Sequence, residues 1–334
     1  MVHRAWHRAS LLISLLMPLN AQSPPVWRDP SPHQIRFVTV ENNVQLEVLD
    51  WGGSGRPVVL LAGMNTAHIF DDFAPRLAAN CHVYGITRRG FGASSTPISG
   101  YSPDRLGADV VAVLGSLKLN HSVLVGHAFA GIELSSVDAR HSGRVAGLVY
   151  LEAAYPYAFD NGRGMTMEDL LKKSPLPPQP LTATDQASFP GLLAWYKRVN
   201  GIAFPEAEIR NYYYSEADGS PGRAHTTVSA VEAINAGVAG LKKVTAIRSP
   251  ALAIFAIPRD EGWQLADIED HATRVAAEAF FANYAVLQEK QAQAFADGVP
   301  RSRVVRLRNA NHYVFLSNET DVLREMRSFL ATLK

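Results

Sequence analysis

Cysteine is all but absent from this 334-residue chain. Cys81 stands alone, which excludes an intramolecular disulfide and any metal site built from several thiolates. Charge of one sign is lacking too: 32 basic and 31 acidic residues leave a formal net charge of +1, so there is no electrostatic footprint for nucleic acid. No apolar run approaches the roughly 20 residues needed to cross a bilayer, and no membrane span is expected. What the chain does have is a hydrophobic content of 47% with only 19% charged residues, enough to bury a sizeable core in one large domain with an insertion or in two ordinary domains.

The N-terminus has the layout of a secretory signal over residues 1–21. Arg4 and Arg8 supply the positive start, residues 11–17 a short, largely apolar core, and Leu19-Asn20-Ala21 a small-residue cleavage site. The expectation is removal near Ala21 and export to the periplasm or beyond, against the alternative of a disordered cytoplasmic extension. A Pro-rich linker then occupies residues 22–34.

From there strands and helices alternate. Residues 36–40 and 44–50 read as two strands joined by Glu41-Asn42-Asn43, a turn-forming trio. The segments 57–63, 82–87, 122–125, 145–151, 251–257 and 303–307 read as further strands, several of them apolar and continuous enough to be covered on both faces. Helices are predicted over 69–79, 102–119, from the turn at 126–131 to about 140, over 265–297 with a break near Tyr284, and from 318 or 319 to 333. Such alternation predicts a mostly parallel, doubly wound sheet whose ligands bind at the carboxyl ends of the strands. Over 155–244 the rhythm breaks. A short helix at 165–173, a Pro-rich stretch, Trp195, Tyr196 and the run Tyr212-Tyr213-Tyr214 mark an insertion with an aromatic load suited to an apolar pocket.

The chain is organised around residues 121–134, HSVLVGHAFAGIEL, a buried strand followed by a tight turn and a helix. Small residues at Gly126, Ala130 and Gly131 let strand and helix approach closely. The stretch resembles the nucleophile elbow of the α/β-hydrolase superfamily, G-x-S-x-G, with Ala128 where the serine stands. Three further motifs follow in order: the loop Ala62-Gly63-Met64-Asn65, the run Arg88-Arg89-Gly90-Phe91-Gly92-Ala93-Ser94, and Asn309-Ala310-Asn311-His312 after the last strand. The resemblance covers residues 35–334. It implies an α/β-hydrolase fold with core segments 35–154 and 245–334 and a helical cap over 155–244.

Carried over position by position, the resemblance implies a catalytic set of Ala128, Asp260 and His312 in the superfamily's order of nucleophile, acid and base, with Glu152 as the alternative acid. The backbone N–H groups of Met64 and Phe129 would form the oxyanion hole. His68, His127, Tyr155 and Trp195 are candidate substrate contacts, each with a competing role as a packing or loop residue. Arg89 reads as a structural anchor of its loop. No metal or organic cofactor is implied, and His225 and His271 show no ligand spacing.

The implied function is hydrolysis of a small apolar ester by acyl transfer, with the nucleophile missing. Elbows bearing aspartate, as in epoxide hydrolases and dehalogenases, are equally unlike Ala128. Either a serine hydrolase has lost its serine, or the chain is a natural inactive homologue or a binding protein for a small apolar ligand. Retention of the acid and base positions favours the first.

Overall fold

A computed structural model describes residues 27–153, 173–176, 179–226, 228–238, 246–259, 261–266 and 268–334. The signal segment 1–21, most of the helix expected at 165–173, Tyr155 and Asp260 lie outside the described residues.

Eight strands form one sheet: β1 Gln34–Glu41, β2 Val44–Gly53, β3 Pro57–Leu61, β4 His82–Ile86, β5 Ser122–His127, β6 Val145–Leu151, β9 Ala251–Ala256 and β10 Ser302–Leu307. Their order is β1-β2-β4-β3-β5-β6-β9-β10. The first two pairings, β1 with β2 and β2 with β4, are antiparallel, and the rest are parallel. The β1–β2 hairpin turns where the sequence predicts, with Asn43 at φ 62, a left-handed position that asparagine tolerates.

Period-2 alternation explains why the central strands are apolar throughout. Val59, Leu61 and Leu124 face one core, while Val58, Leu60, Val123 and Val125 face the other. The first core is closed by α1 (Pro103–Ser116), through Val110, Val113 and Leu114, and by α2 (Gly131–His141), through Leu134 and Val137. The long α6 (His271–Gly298) adds Ala292 and Phe295. The second is closed by Phe70, Phe73 and Leu77 and by α7 (Glu319–Thr332), through Val322, Met326 and Phe329.

Two predicted helices differ. Residues 69–79 form a 3-10 turn, Ala67–Phe70, and a separate single turn, Ala74–Leu77. Pro75 has no N–H to donate back along the chain, so it starts a new turn and cannot continue the old one. Over 265–297 the division falls earlier than expected. A single turn at Gly262–Leu265 precedes α6, whose N-cap Asp270 accepts from Thr273 N, and α6 passes Tyr284 unbroken.

The described part of 155–244 holds α3 (Phe189–Asn200), α4 (Glu206–Tyr212), α5 (Val228–Val238) and a hairpin of β7 (Tyr213–Ser215) and β8 (Pro221–Ala224). It is tied to the loop after β3 by Glu208 and Tyr212. The end of the expected linker is packed on the core: Trp51 Nε1 donates to Ser31 Oγ at 3.1 Å, and His33 contacts Asp71 at 3.0 Å. Among the described residues no helix is long and apolar enough to cross a membrane.

Candidate active site

The elbow is built by β5, which leaves His127 extended at φ −96 and ψ 137, then turns at Ala128 with φ 48 and enters α2 at Gly131. A left-handed φ on a residue with a Cβ is strained, and it thrusts that Cβ out of the strand-to-helix corner. Gly126 is required for the turn. A Cβ there would stand 2.6 Å from Leu134 Cδ1 and 3.1 Å from the Ala130 carbonyl carbon. Gly63 is where the loop after β3 meets the elbow, since a Cβ on it would lie 3.1 Å from the Ala128 Cβ and 3.3 Å from His127 O.

Arg88 fixes that loop. Its guanidinium is buried, donates to Glu133 on α2 and to the Gly63 carbonyl, and reaches Ala62 O at 2.9 Å. In a trans peptide the carbonyl and the next N–H point in opposite directions, so anchoring Gly63 O turns Met64 N–H away from Arg88. Arg89 is the structural anchor the sequence suggests, forming a fork on Asp109 at 2.6 and 2.7 Å.

His312 follows β10 in a loop pinned on both sides. Asn311 Nδ2 donates to Asn200 O at 2.8 Å, and Asn311 Oδ1 accepts from Tyr313 N at 3.0 Å. His127 Nε2 donates to the His312 carbonyl at 3.1 Å, and the two rings are 4.6 Å apart. Among the described residues, the acid within reach of His312 is Glu152, at the end of β6, with Oε2 3.3 Å from Nδ1. Glu152 is fully buried at φ 47, and its Oε1 accepts from Ala256 N at 2.6 Å. Arg259 also donates to Glu152 and lies 3.4 Å from His312 Nδ1.

Electrostatics follow from this packing. Burial alone would raise the Glu152 carboxyl, but Arg259, His312 and the Ala256 N–H overcome it and hold Glu152 below its ordinary value. Burial, helped by the Arg259 charge, also lowers His312, although its side chain keeps 30% of its exposure and Glu152 works in the opposite direction. With Nδ1–H directed at Glu152, Nε2 carries the free lone pair of a base.

The sequence-predicted substrate contacts separate. His127 is fully buried, and burial, then the neighbouring His312 charge, puts its pKa well below the usual value; its ring supports the His312 loop through the hydrogen bond to the His312 carbonyl. His68 lies away from the elbow, with Nδ1 at 2.8 Å from Asp71 and 3.3 Å from Asp29. Burial opposes its charging, but Asp29, Asp71 and Glu47 push it up to about 12. Trp195 donates to Pro180 O at 3.2 Å. Its neighbour Tyr196 and, one turn on, Asn200 face the pocket instead, because successive helical residues are about 100° apart.

That pocket, about 380 Å³, is lined by Met64, Asn65, Phe91, Tyr196, Tyr212 and Tyr313 among others, with no charged side chain among its described lining residues. Asn65 Nδ2 donates to Tyr212 OH at 2.6 Å, and Thr66 N donates to Glu208 Oε1 at 3.0 Å. The sequence reading missed Glu208, Tyr313 and Arg259. For Arg259 the one available signal was its place beside Asp260 in the loop after β9.

A strained elbow at the carboxyl end of a parallel strand, with a carboxylate–histidine pair beside it, defines the class of α/β hydrolases. The chain belongs to the alpha/beta hydrolase family, whose profile matches residues 58–325. It is 36% identical over 120 residues to epoxide hydrolase A of Mycobacterium tuberculosis, a match covering 33% of this chain and 36% of that enzyme. It is 35% identical over 125 residues to a non-heme haloperoxidase of Rhodococcus erythropolis, covering 36% of this chain and 44% of the other. These matches span less than half the length of either relative. The fold is shared with E-2-(acetamidomethylene)succinate hydrolase at a TM-score of 0.66, covering 90% of this chain and all of that one at 19% identity.

Proposed function

We propose that the site is built for acyl transfer on a small, uncharged, largely apolar ester, and that Ala128 occupies the place of the nucleophile. The observation that carries this reading is the conjunction at the elbow. Ala128 sits at φ 48 where a nucleophile would be presented, while the His312–Glu152 pair that would activate one is retained at 3.3 Å. The pocket is tyrosine-rich and uncharged among its described lining residues, which supports a neutral substrate.

With a hydroxyl at position 128, His312 would take its proton as the oxygen attacks the acyl carbon. The N–H groups of Met64 and Phe129 would hold the oxyanion, and the leaving alcohol would recover the proton from His312. Water, deprotonated by the same histidine, would then release the acid. A methyl group cannot start this sequence, so the chain as it stands binds such an ester and barely turns it over. Loss of a triad serine costs on the order of a millionfold in turnover elsewhere. A second reading, a binding protein for a small apolar ligand, is favoured by the same methyl group.

The test pairs the chain with its Ala128→Ser variant on short and medium-chain p-nitrophenyl esters. A gain of several orders of magnitude in kcat supports the hydrolase reading. A folded variant inactive on esters, amides and lactones overturns it in favour of ligand binding.

A further inference from the structure

We propose that Asp29, His33, His68 and Asp71 form a binding site for a divalent transition-metal cation, with zinc(II) the best match to the donors. The four side chains each bring one ligand atom into a cluster whose members all lie within 4.8 Å of one another. The contacts within it are His68 Nδ1 to Asp71 at 2.8 Å and to Asp29 at 3.3 Å, and His33 Nδ1 to Asp71 at 3.0 Å and Nε2 to Asp29 at 3.7 Å. Donors around a tetrahedral zinc, at bonds of about 2.0–2.1 Å, stand about 3.3 Å apart, and the separations from His68 Nδ1 to Asp71 Oδ2 at 2.8 Å and to Asp29 Oδ2 at 3.3 Å lie near that edge, with His33 offering one of its two ring nitrogens. Two imidazoles with two carboxylates form a nitrogen and oxygen set that zinc accepts.

Two further observations point to a cation. His68 Nε2 is buried without a hydrogen-bond partner and faces the buried Glu47 Oε1 at 3.7 Å. Ligation through Nδ1 would fix the proton on Nε2, directed at that carboxylate, as outer-shell acids do for metal-bound histidines. Next to the cluster lies a cavity of about 450 Å³ whose wall includes Asp29, Asp71, Asp72 and Glu206 but, among the described residues, no lysine or arginine, although Glu206 pairs with Arg210 from outside it. A dication here would add positive charge among the carboxylates of Asp29 and Asp71. It would join residues 29–33 to the 3-10 turn Ala67–Phe70, which directly follows the loop carrying Met64.

The purified full chain, stripped with EDTA, is titrated with Zn2+ and, separately, with Co2+. The expected result is one ion per chain, a Tm rise of about 5 °C at hundredfold excess over Kd, and the visible absorption of tetrahedral Co2+. His33→Gln and Asp29→Asn should each weaken binding by a factor of 100 or more. Absence of saturable binding to the wild-type chain overturns the proposal, as does binding unchanged in both variants, which would place the ion elsewhere. Should the variants not fold, the wild-type Co2+ spectrum decides: a tetrahedral band supports the site, and an octahedral spectrum or none overturns it.

Discussion

His312 Nδ1 lies 3.3 Å from Glu152 Oε2, joining the loop after the last strand to the end of β6 across 160 residues of chain. This pair sets the chemistry open to the site, because the carboxylate fixes the imidazole tautomer and would stabilise the imidazolium formed on proton transfer.

The pairing predicts which acid matters. In the Ala128→Ser background, Glu152→Gln should lower kcat by about 10⁴, the scale seen when a triad acid is made neutral, with little change in KM. Asp260→Asn should cost far less. Steady-state kinetics of the two double variants compare them, and the reverse order would return the acid role to Asp260.

The same geometry sets a pH dependence. His312 is held below its usual value of 6.5 by burial and by Arg259, so its base form is reached at lower pH than for a free histidine. In the Ala128→Ser variant, kcat/KM should therefore rise with pH and level off with a midpoint below 6.5. Arg259→Gln removes a nearby positive charge and should move that midpoint upward. A pH profile of each protein reads both effects.

Glu208 makes stability pH-dependent. Burial raises its carboxyl from 4.5 to about 7, against the opposing hydrogen bonds from Thr66 and Tyr212 and the nearby His68 charge. The fold thus favours the protonated acid. That contribution is complete below about pH 4.5 and is lost as pH rises through about 7, on the order of 3 kcal/mol in all. Thermal melts should show Tm falling between pH 5 and 8.5, and Glu208→Gln should shrink the fall.

Arg88 ties the loop after β3 to α2. Arg88→Met would leave Glu133 buried without its partner, a loss of about 3–5 kcal/mol, seen as a drop in Tm. In the Ala128→Ser background Arg88→Lys, which keeps the charge but not the fork, should lower kcat more than it raises KM, because the anchoring of the Ala62 and Gly63 carbonyls beside the elbow is weakened.

Gly126→Ala tests the elbow. The new methyl would press on Leu134 and the Ala130 backbone, so about 1–3 kcal/mol of overpacking is expected. A melt unchanged from wild type would contradict the tight strand-to-helix corner.

The sequence by itself determined the sheet and the elbow. Apolar runs at 57–61, 123–125 and 251–256 are local signals, since a strand covered on both faces needs hydrophobic residues on both. Gly126 and Gly131 likewise announce a close turn without reference to the rest of the chain. Proline at 75 was an equally local signal that the predicted helix over 69–79 overlooked. Tertiary structure alone brought Glu152 to His312, because only the relative placement of β6 and the loop after β10 puts the two side chains within reach. It also decided that His68 leaves the pocket for Asp29 and Asp71, and that Glu208 closes over Thr66. These contacts join residues far apart in sequence, and no periodicity or propensity encodes where two distant loops meet.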